Sequence, residues 1–169
     1  MDSYRGGYIL KADGMIVLLL ENGILSTQQK KIEKAQNTGL IDFKLFCFNG
    51  NPRMTLVCSE RFSSVGLKED FFSETWEHLD IQRPGHRCSD QIIPCPKQYN
   101  LMKKIASELS KDIPFVRIDF YTINGHIYFG EITFYPASGF VGFLPETADV
   151  QLGKKIVLQK QKDKMCVKK

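Results

Sequence analysis

Apolar and polar positions alternate most regularly between residues 114 and 139, PFVRIDFYTINGHIYFGEITFYPASG. Val116, Ile118 and Phe120 alternate with Arg117, Asp119 and Tyr121, the period of a strand with one face on a core. Ile132 and Phe134 alternate in the same way with Glu131 and Thr133. The two runs read as strands folded back through Asn124-Gly125, with an oily face and a face carrying Arg117, Asp119, Glu131 and Thr133. A two-residue turn would pair Ile123 with His126 and point Glu131 away from Asp119. A three-residue loop, with Gly125 left-handed, pairs Thr122 with His126, sets Arg117 opposite Glu131 and makes Asp119 a diagonal neighbour. That longer loop is the expected one.

The same patterning places further elements. Residues 41–48 alternate into a strand, Asn49-Gly50-Asn51-Pro52 turns it, and 53–59 return as a second hairpin. Residues 100–110 have Leu101, Met102, Ile105 and Leu109 at helical spacing on one side, and Pro114 prevents continuation. Ser26 caps an expected helix to about residue 35, with Gln29 as its capping-box partner and Gly39 as its stop. Residues 146–158 read as a last helix. Residues 60–96, rich in Ser, Pro and charge, read as irregular. The longest apolar run, 15–20, is too short to span a membrane and reads as a buried strand closed by Asn22-Gly23. The fold class is α+β: an antiparallel sheet with helices packed on one face.

Length and composition then narrow the class. The chain has 169 residues, 43% hydrophobic and 25% charged, which fits one soluble globular domain with its own core. A net charge of +4 suits an anionic ligand and gives no nucleic-acid signature. Cys47, Cys58, Cys88, Cys95 and Cys166 lack CxxC spacing and read as reduced thiols, forming neither a disulfide frame nor a zinc site. His78, His86 and His126 are scattered and read as solvent-exposed. Without a signal-peptide pattern or membrane span, the expected compartment is the cytoplasm.

Two acids and an arginine on a half-buried sheet face need partners or a metal to offset their desolvation. The same residues admit a plain reading as a cross-strand salt bridge. Asp42 and Lys44 share a strand face and read either as an ion pair or as a phosphate contact. Ser138 and Gly139 read as an ordinary turn or as backbone amides offered to a phosphate. The lysines after Gly153 read as a solvated end.

Three separated blocks carry a resemblance. Asp42-Phe43-Lys44-Leu45-Phe46-Cys47-Phe48-Asn49-Gly50, the segment from Pro114 to Tyr121, and the segment from Gly130 to Gly139 are similar, in order, to the teichuronopeptide-biosynthesis (TupA-like) family of the ATP-grasp superfamily. That superfamily, which includes D-alanine–D-alanine ligase, has an Arg-x-Asp strand, a Glu-x-Asn strand and a Pro-Gly-type loop. The resemblance covers roughly residues 38–158. It implies Mg²⁺ ligands at Asp119 and Glu131, with Thr133 where the wider superfamily has Asn, and a phosphate or transition-state contact from Arg117. It also implies cofactor contacts from Lys44, Asp42, Ser138 and Gly139, with ATP as the nucleotide.

The implied activity is carboxylate–amine ligation on a cell-surface polysaccharide or its precursor. A glycan-pathway transferase and a non-catalytic remnant are the alternatives. Residues 1–37 do not match the longer N-terminal portion that members carry; Arg5-Gly6-Gly7 and Lys11 are a weak echo. The expected division is therefore a poorly matched 1–37, an ATP-grasp C-terminal domain at 38–158 and a basic tail at 159–169. An upstream half would be the expected partner, and the isolated chain is expected to bind Mg–ATP weakly.

Overall fold

The computed structural model describes residues 7–12, 15–20, 41–60, 64, 66–123 and 125–158, the first two segments and residues 123 and 126 by their backbone only. The expected helix at 26–35, its Gly39 stop, the Asn22-Gly23 turn, Arg5-Gly6, Asn124, Cys166 and the basic tail at 159–169 lie outside the described residues. β1 (Gly7–Ala12) and β2 (Met15–Leu20) pair antiparallel as a separate ribbon. The principal sheet contains β3 (Asp42–Phe48), β4 (Asn51–Ser59), β5 (Lys68–Ser73), β6 (His78–Leu79), β7 (Phe115–Ile123) and β8 (His126–Thr133). It is antiparallel throughout, in the order β6-β5-β4-β3-β7-β8. Among the described residues two α-helices, α1 (Tyr99–Leu109) and α2 (Thr147–Gly153), complete the α+β class.

Alternation gives the central strands two apolar faces. On one, Phe43, Leu45 and Cys47 of β3 join Val57, Phe72, Val116, Ile118 and Phe120 beneath Met102, Ile105 and Ala106 of α1. Burying side chains such as Met102 and Ile105 contributes about 1.5–3 kcal/mol each relative to exposure. The helix ends where Ser110 turns its hydroxyl back to the Ala106 carbonyl at 2.6 Å, four residues before Pro114. Ile132 packs against this core, but Phe134 is 53% exposed and does not continue it as expected, because β8 stops at Thr133.

The opposite face is acidic only in part. Phe46, Phe48, Met54, Leu56, Cys58 and Phe71 form a second core on it, covered by Phe143, by Leu152 of α2 and by Ile156. The turn between β3 and β4 fixes that cover. Asn49 and Gly50, both with positive φ, form a two-residue turn, since Phe48 already pairs with Asn51. Asn49 then donates from Nδ2 to the Lys155 carbonyl at 2.8 Å and accepts from Val157 N–H at 3.2 Å. The expected four-residue turn is thus narrower, and Pro52 sits inside β4 next to a register shift, where its missing N–H is tolerated.

Two further expectations are corrected. Residues 60–96 are not irregular throughout, because they contain β5 and β6. The charges of β5 made it look like a loop, yet Lys68, Glu69 and Asp70 are all buried and partnered. The last helix is shorter than 146–158, closing at Gly153 with a turn through Lys154 and Lys155.

Candidate functional site

The second face changes from apolar to charged along β3, β7 and β8. Lys44 stands directly opposite Asp119, and Asp42 opposite Tyr121, in the β3–β7 ladder. Lys44 Nζ donates to Asp119 Oδ2 at 2.5 Å and lies 3.8 Å from Asp42 Oδ2. Arg117, two residues before Asp119 and so on the same face, donates from Nε to Asp119 Oδ1 at 2.7 Å and from Nη2 to Oδ2 at 2.8 Å. Two cations therefore clasp a carboxylate whose side chain is only 1% exposed.

How Glu131 reaches this cluster differs from the expected geometry. Ile123 pairs with His126, so only residues 124 and 125 lie between the strands, and the connection is two residues long. Gly125 has φ +78°, as a tight hairpin turn requires. In that register alone Glu131 would face the α1 side. The pairing shifts, however, between Ile118–Ile132 and Phe120–Phe129, leaving Gly130 and Glu131 both opposite Asp119. This β-bulge returns Glu131 to the site face. Arg117 lies opposite Thr133, and not opposite Glu131 as the three-residue loop required.

Gly130 makes the bulge possible. A β-carbon there would stand 2.8 Å from Tyr121 Cε2, 3.1 Å from the Asp119 carbonyl oxygen and 3.2 Å from Asp119 Cβ. Only a residue without a side chain lets the two strands come this close. The sequence marks this device twice, by the Gly-Glu pair and by the change of apolar phase from Ile127 and Phe129 to Ile132, all three of which pack against the same core.

Arg117 ties the acids together. Its Nη2 donates to Glu131 Oε1 at 2.6 Å as well as to Asp119, and to Thr133 Oγ1 at 3.1 Å. The Thr133 hydroxyl in turn donates to Glu131 Oε1 at 2.9 Å. The two carboxylates thus lie no farther apart than the sum of their contacts to one nitrogen. Partial burial raises the Glu131 carboxyl, but the Thr133 hydrogen bond and the charges of Arg117 and Lys44 outweigh it and leave it below its ordinary value. Glu131 is therefore ionised at neutral pH, and its side chain is 59% exposed where Asp119 is sealed.

The expected residues separate into two groups. Asp42, Lys44, Arg117, Asp119, Glu131 and Thr133 form one cluster. Ser138 and Gly139 lie in an exposed turn, Pro136–Gly139, that begins two residues after Phe134. Ala137, Ser138 and Gly139 have φ of 50°, 56° and 75°, three successive left-handed residues. Ser138 N–H closes the turn on the Tyr135 carbonyl at 3.0 Å, so that amide is engaged locally.

Oxygen ligands alone, two of them carboxylates, suit a hard divalent ion such as Mg²⁺. The two clasping cations suit an anionic oxygen group. No helix among the described residues is long and apolar enough to cross a membrane.

A family model described as TupA-like ATPgrasp matches residues 21–157, most of the chain and all of the sheet around this cluster. The match starts before residue 38, where the motif resemblance begins. No curated protein and no solved structure matches the chain.

Proposed function

The chain belongs to the TupA-like ATP-grasp family, and from that premise we propose that the charged face of β3, β7 and β8 binds Mg–ATP and serves carboxylate–amine ligation. The observation that carries this reading is Arg117 Nη2 touching both Asp119 and Glu131, which puts two carboxylates and a hydroxyl around one point on the sheet. Asp119, Glu131 and Thr133 would hold the ion. Bound magnesium supplies charge neutralisation between neighbouring phosphates.

The chain's own residues supply the rest. Arg117 and Lys44 are held by Asp119, so loosening those contacts frees two positive charges for phosphate oxygens. Asp42, 3.8 Å from Lys44, keeps the lysine aimed along the strand face. Ser138 and Gly139 lie in the loop that would border a phosphate or the acceptor. In ligases of this type a substrate carboxylate takes the γ-phosphoryl group and an amine then displaces phosphate. Positioning and charge neutralisation do most of that work. A cell-surface polysaccharide or its precursor is the proposed acceptor, on the cytoplasmic side where ATP is supplied. An upstream N-terminal ATP-grasp half, acting as a partner, would provide the opposing wall of the cleft.

The test is calorimetric titration of ATP into the full chain with magnesium and with chelator, repeated for Glu131→Gln. Binding that needs magnesium and is lost in Glu131→Gln supports the proposal. ATP binding indifferent to both defeats it. Binding of a nucleotide sugar instead of ATP would support a transferase. A folded chain that binds neither, alone or with an upstream polypeptide restored, would leave the cluster as a structural ion-pair network.

A further inference from the structure

A second cluster lies across the sheet edge from the first. Asp70 of β5, His78 of β6 and Cys88 each offer one ligand atom, and these atoms lie within 4.8 Å of one another. His78 Nε2 is 3.1 Å from Asp70 Oδ1. A tetrahedral zinc ion with nitrogen and oxygen at about 2.0–2.1 Å and sulfur at about 2.3 Å needs ligand separations of about 3.3–3.6 Å. The His–Asp edge is already near that size, and Cys88 closes the triangle with a small side-chain adjustment.

The fold holds these residues in place by local means. Asp70 and His78 are on adjacent strands, with Phe72 and His78 paired in the ladder and their rings edge-to-face at 5.4 Å. The Ser73 hydroxyl accepts from Thr75 and Glu77 N–H, tightening the connection between the strands. Cys88 is brought alongside by the bridge between Lys68 and Arg87, and Glu69 N–H bonds the Arg87 carbonyl at 2.8 Å. Ser89 N–H reaches both Asp70 oxygens, at 3.2 and 3.1 Å, the kind of supporting contact that orients a metal-bound carboxylate.

Electrostatics at Asp70 favour a cation. Its carboxylate is almost fully buried, and among the described residues the His78 ring lies 3.1 Å from it, with no lysine or arginine in ion-pair range. The neighbouring Lys68 ammonium donates to Asp90 at 3.1 Å and to the Cys88 carbonyl at 3.4 Å, so it braces the Cys88 backbone and not the Asp70 carboxylate. A buried carboxylate without a permanent positive charge is costly, and a divalent ion would offset that cost.

We propose that Asp70, His78 and Cys88 form a zinc site with three protein ligands and a fourth position open to solvent. A thiolate, an imidazole and one carboxylate match zinc, whereas magnesium prefers oxygen alone. On binding, Cys88 gives up its thiol proton to the buffer and ligates as thiolate, while the neutral His78 donates its Nε2 lone pair. The spacing of these residues in the sequence, with no CxxC or His-x-His pattern, hides the set, which the β5–β6 pairing assembles.

The test uses the full chain, freed of metal by chelator and titrated with cobalt(II) as a spectroscopic substitute. One cobalt per chain is expected, with a cobalt–thiolate charge-transfer band that zinc abolishes. Cys88→Ser should lose the band, whereas Cys95→Ser, at an exposed thiol away from the cluster, should keep it. His78→Gln should weaken binding by at least the roughly 10–100-fold that loss of a supporting contact costs. Absence of the band in the parent chain, or its survival in Cys88→Ser, would overturn the proposal. If Cys88→Ser does not fold, His78→Gln decides, since its ring is 51% exposed and unaltered cobalt affinity there is equally fatal.

Discussion

Lys44 and Asp119 face each other across β3 and β7 at 2.5 Å, and Asp119 is the most deeply sealed carboxylate of the charged cluster. The pair lies where the second core gives way to polar residues. It is both a structural tie between central strands and a reserve of charge beside the proposed nucleotide.

Replacing Lys44 by Met should therefore destabilise the sheet. Removing one partner of a buried pair costs about 3–5 kcal/mol when nothing else remains. Here Arg117 still holds both Asp119 oxygens, so about 1–3 kcal/mol is expected. Urea unfolding of Lys44→Met, Asp119→Asn and the double variant should show coupling, the double costing less than the two singles together.

Gly130→Ala should damage fold and site at once. Its β-carbon would stand 2.8 Å from Tyr121 and 3.1 Å from the Asp119 carbonyl oxygen, and overpacking of this kind costs about 1–3 kcal/mol. Gly153→Ala is the control, because nothing lies within 4 Å of that position and it ends a helix. The control should be neutral or up to about 1 kcal/mol stabilising. Thermal midpoints of the two variants, followed by magnesium-dependent ATP titration, distinguish a packing defect from a general intolerance of alanine.

The Glu131 carboxyl sits below its ordinary value in the folded chain, so its contacts contribute stability that is complete above the ordinary carboxylate range. That contribution drains away as pH falls through the folded value. Because the side chain is more than half exposed, the effect should be small. Urea midpoints measured from pH 7 to about pH 3 should fall less steeply in Glu131→Gln than in the parent. Parallel slopes would remove Glu131 from the network.

Arg83→Met should be among the most disruptive substitutions outside the cores. Arg83 donates from Nε to Glu69 Oε2 at 2.7 Å and from Nη2 to the other oxygen, and the Glu69 side chain is 1% exposed. Among the described residues His86, with its Nδ1 3.3 Å from Glu69 Oε2, is the other side chain on this carboxylate. A loss of about 3–5 kcal/mol is expected, largely recovered when Glu69→Leu is added, because two apolar groups replace a buried pair at little cost. Chemical unfolding of the single and double variants checks this.

Much of the sheet was legible because alternation alone defines β3, β4, β7 and β8, and helical spacing defines α1. Arg117 and Asp119 share a strand face by the same rule, and so do Asp42 and Lys44. The relation of Glu131 to them was not legible in its mechanism. Its face depends on a shift of one residue at Gly130, marked by that glycine and by the apolar phase moving from Ile127 and Phe129 to Ile132, a mark that the longer-loop register left unused. β5 was hidden for a different reason. Three adjacent charged residues look like solvated chain, and only the partners brought by the fold, Arg83 for Glu69 and Asp90 for Lys68, make their burial tolerable.

That hidden strand determines how the edge of the molecule is attached. Because successive side chains leave a strand on opposite sides, Glu69 is met by Arg83 and His86 on one side, whereas Lys68 and Asp70 are met by Asp90 and Ser89 on the other. The stretch from 83 to 90 is thus laced around the rim of β5 by ionic and backbone contacts, with Arg87 at the crossing. Such a seam can be undone separately from the cores, since it draws little on apolar burial. Amide exchange along it would then report an opening of its own, cheaper than global unfolding and only weakly sensitive to salt, because the charges at its centre are buried.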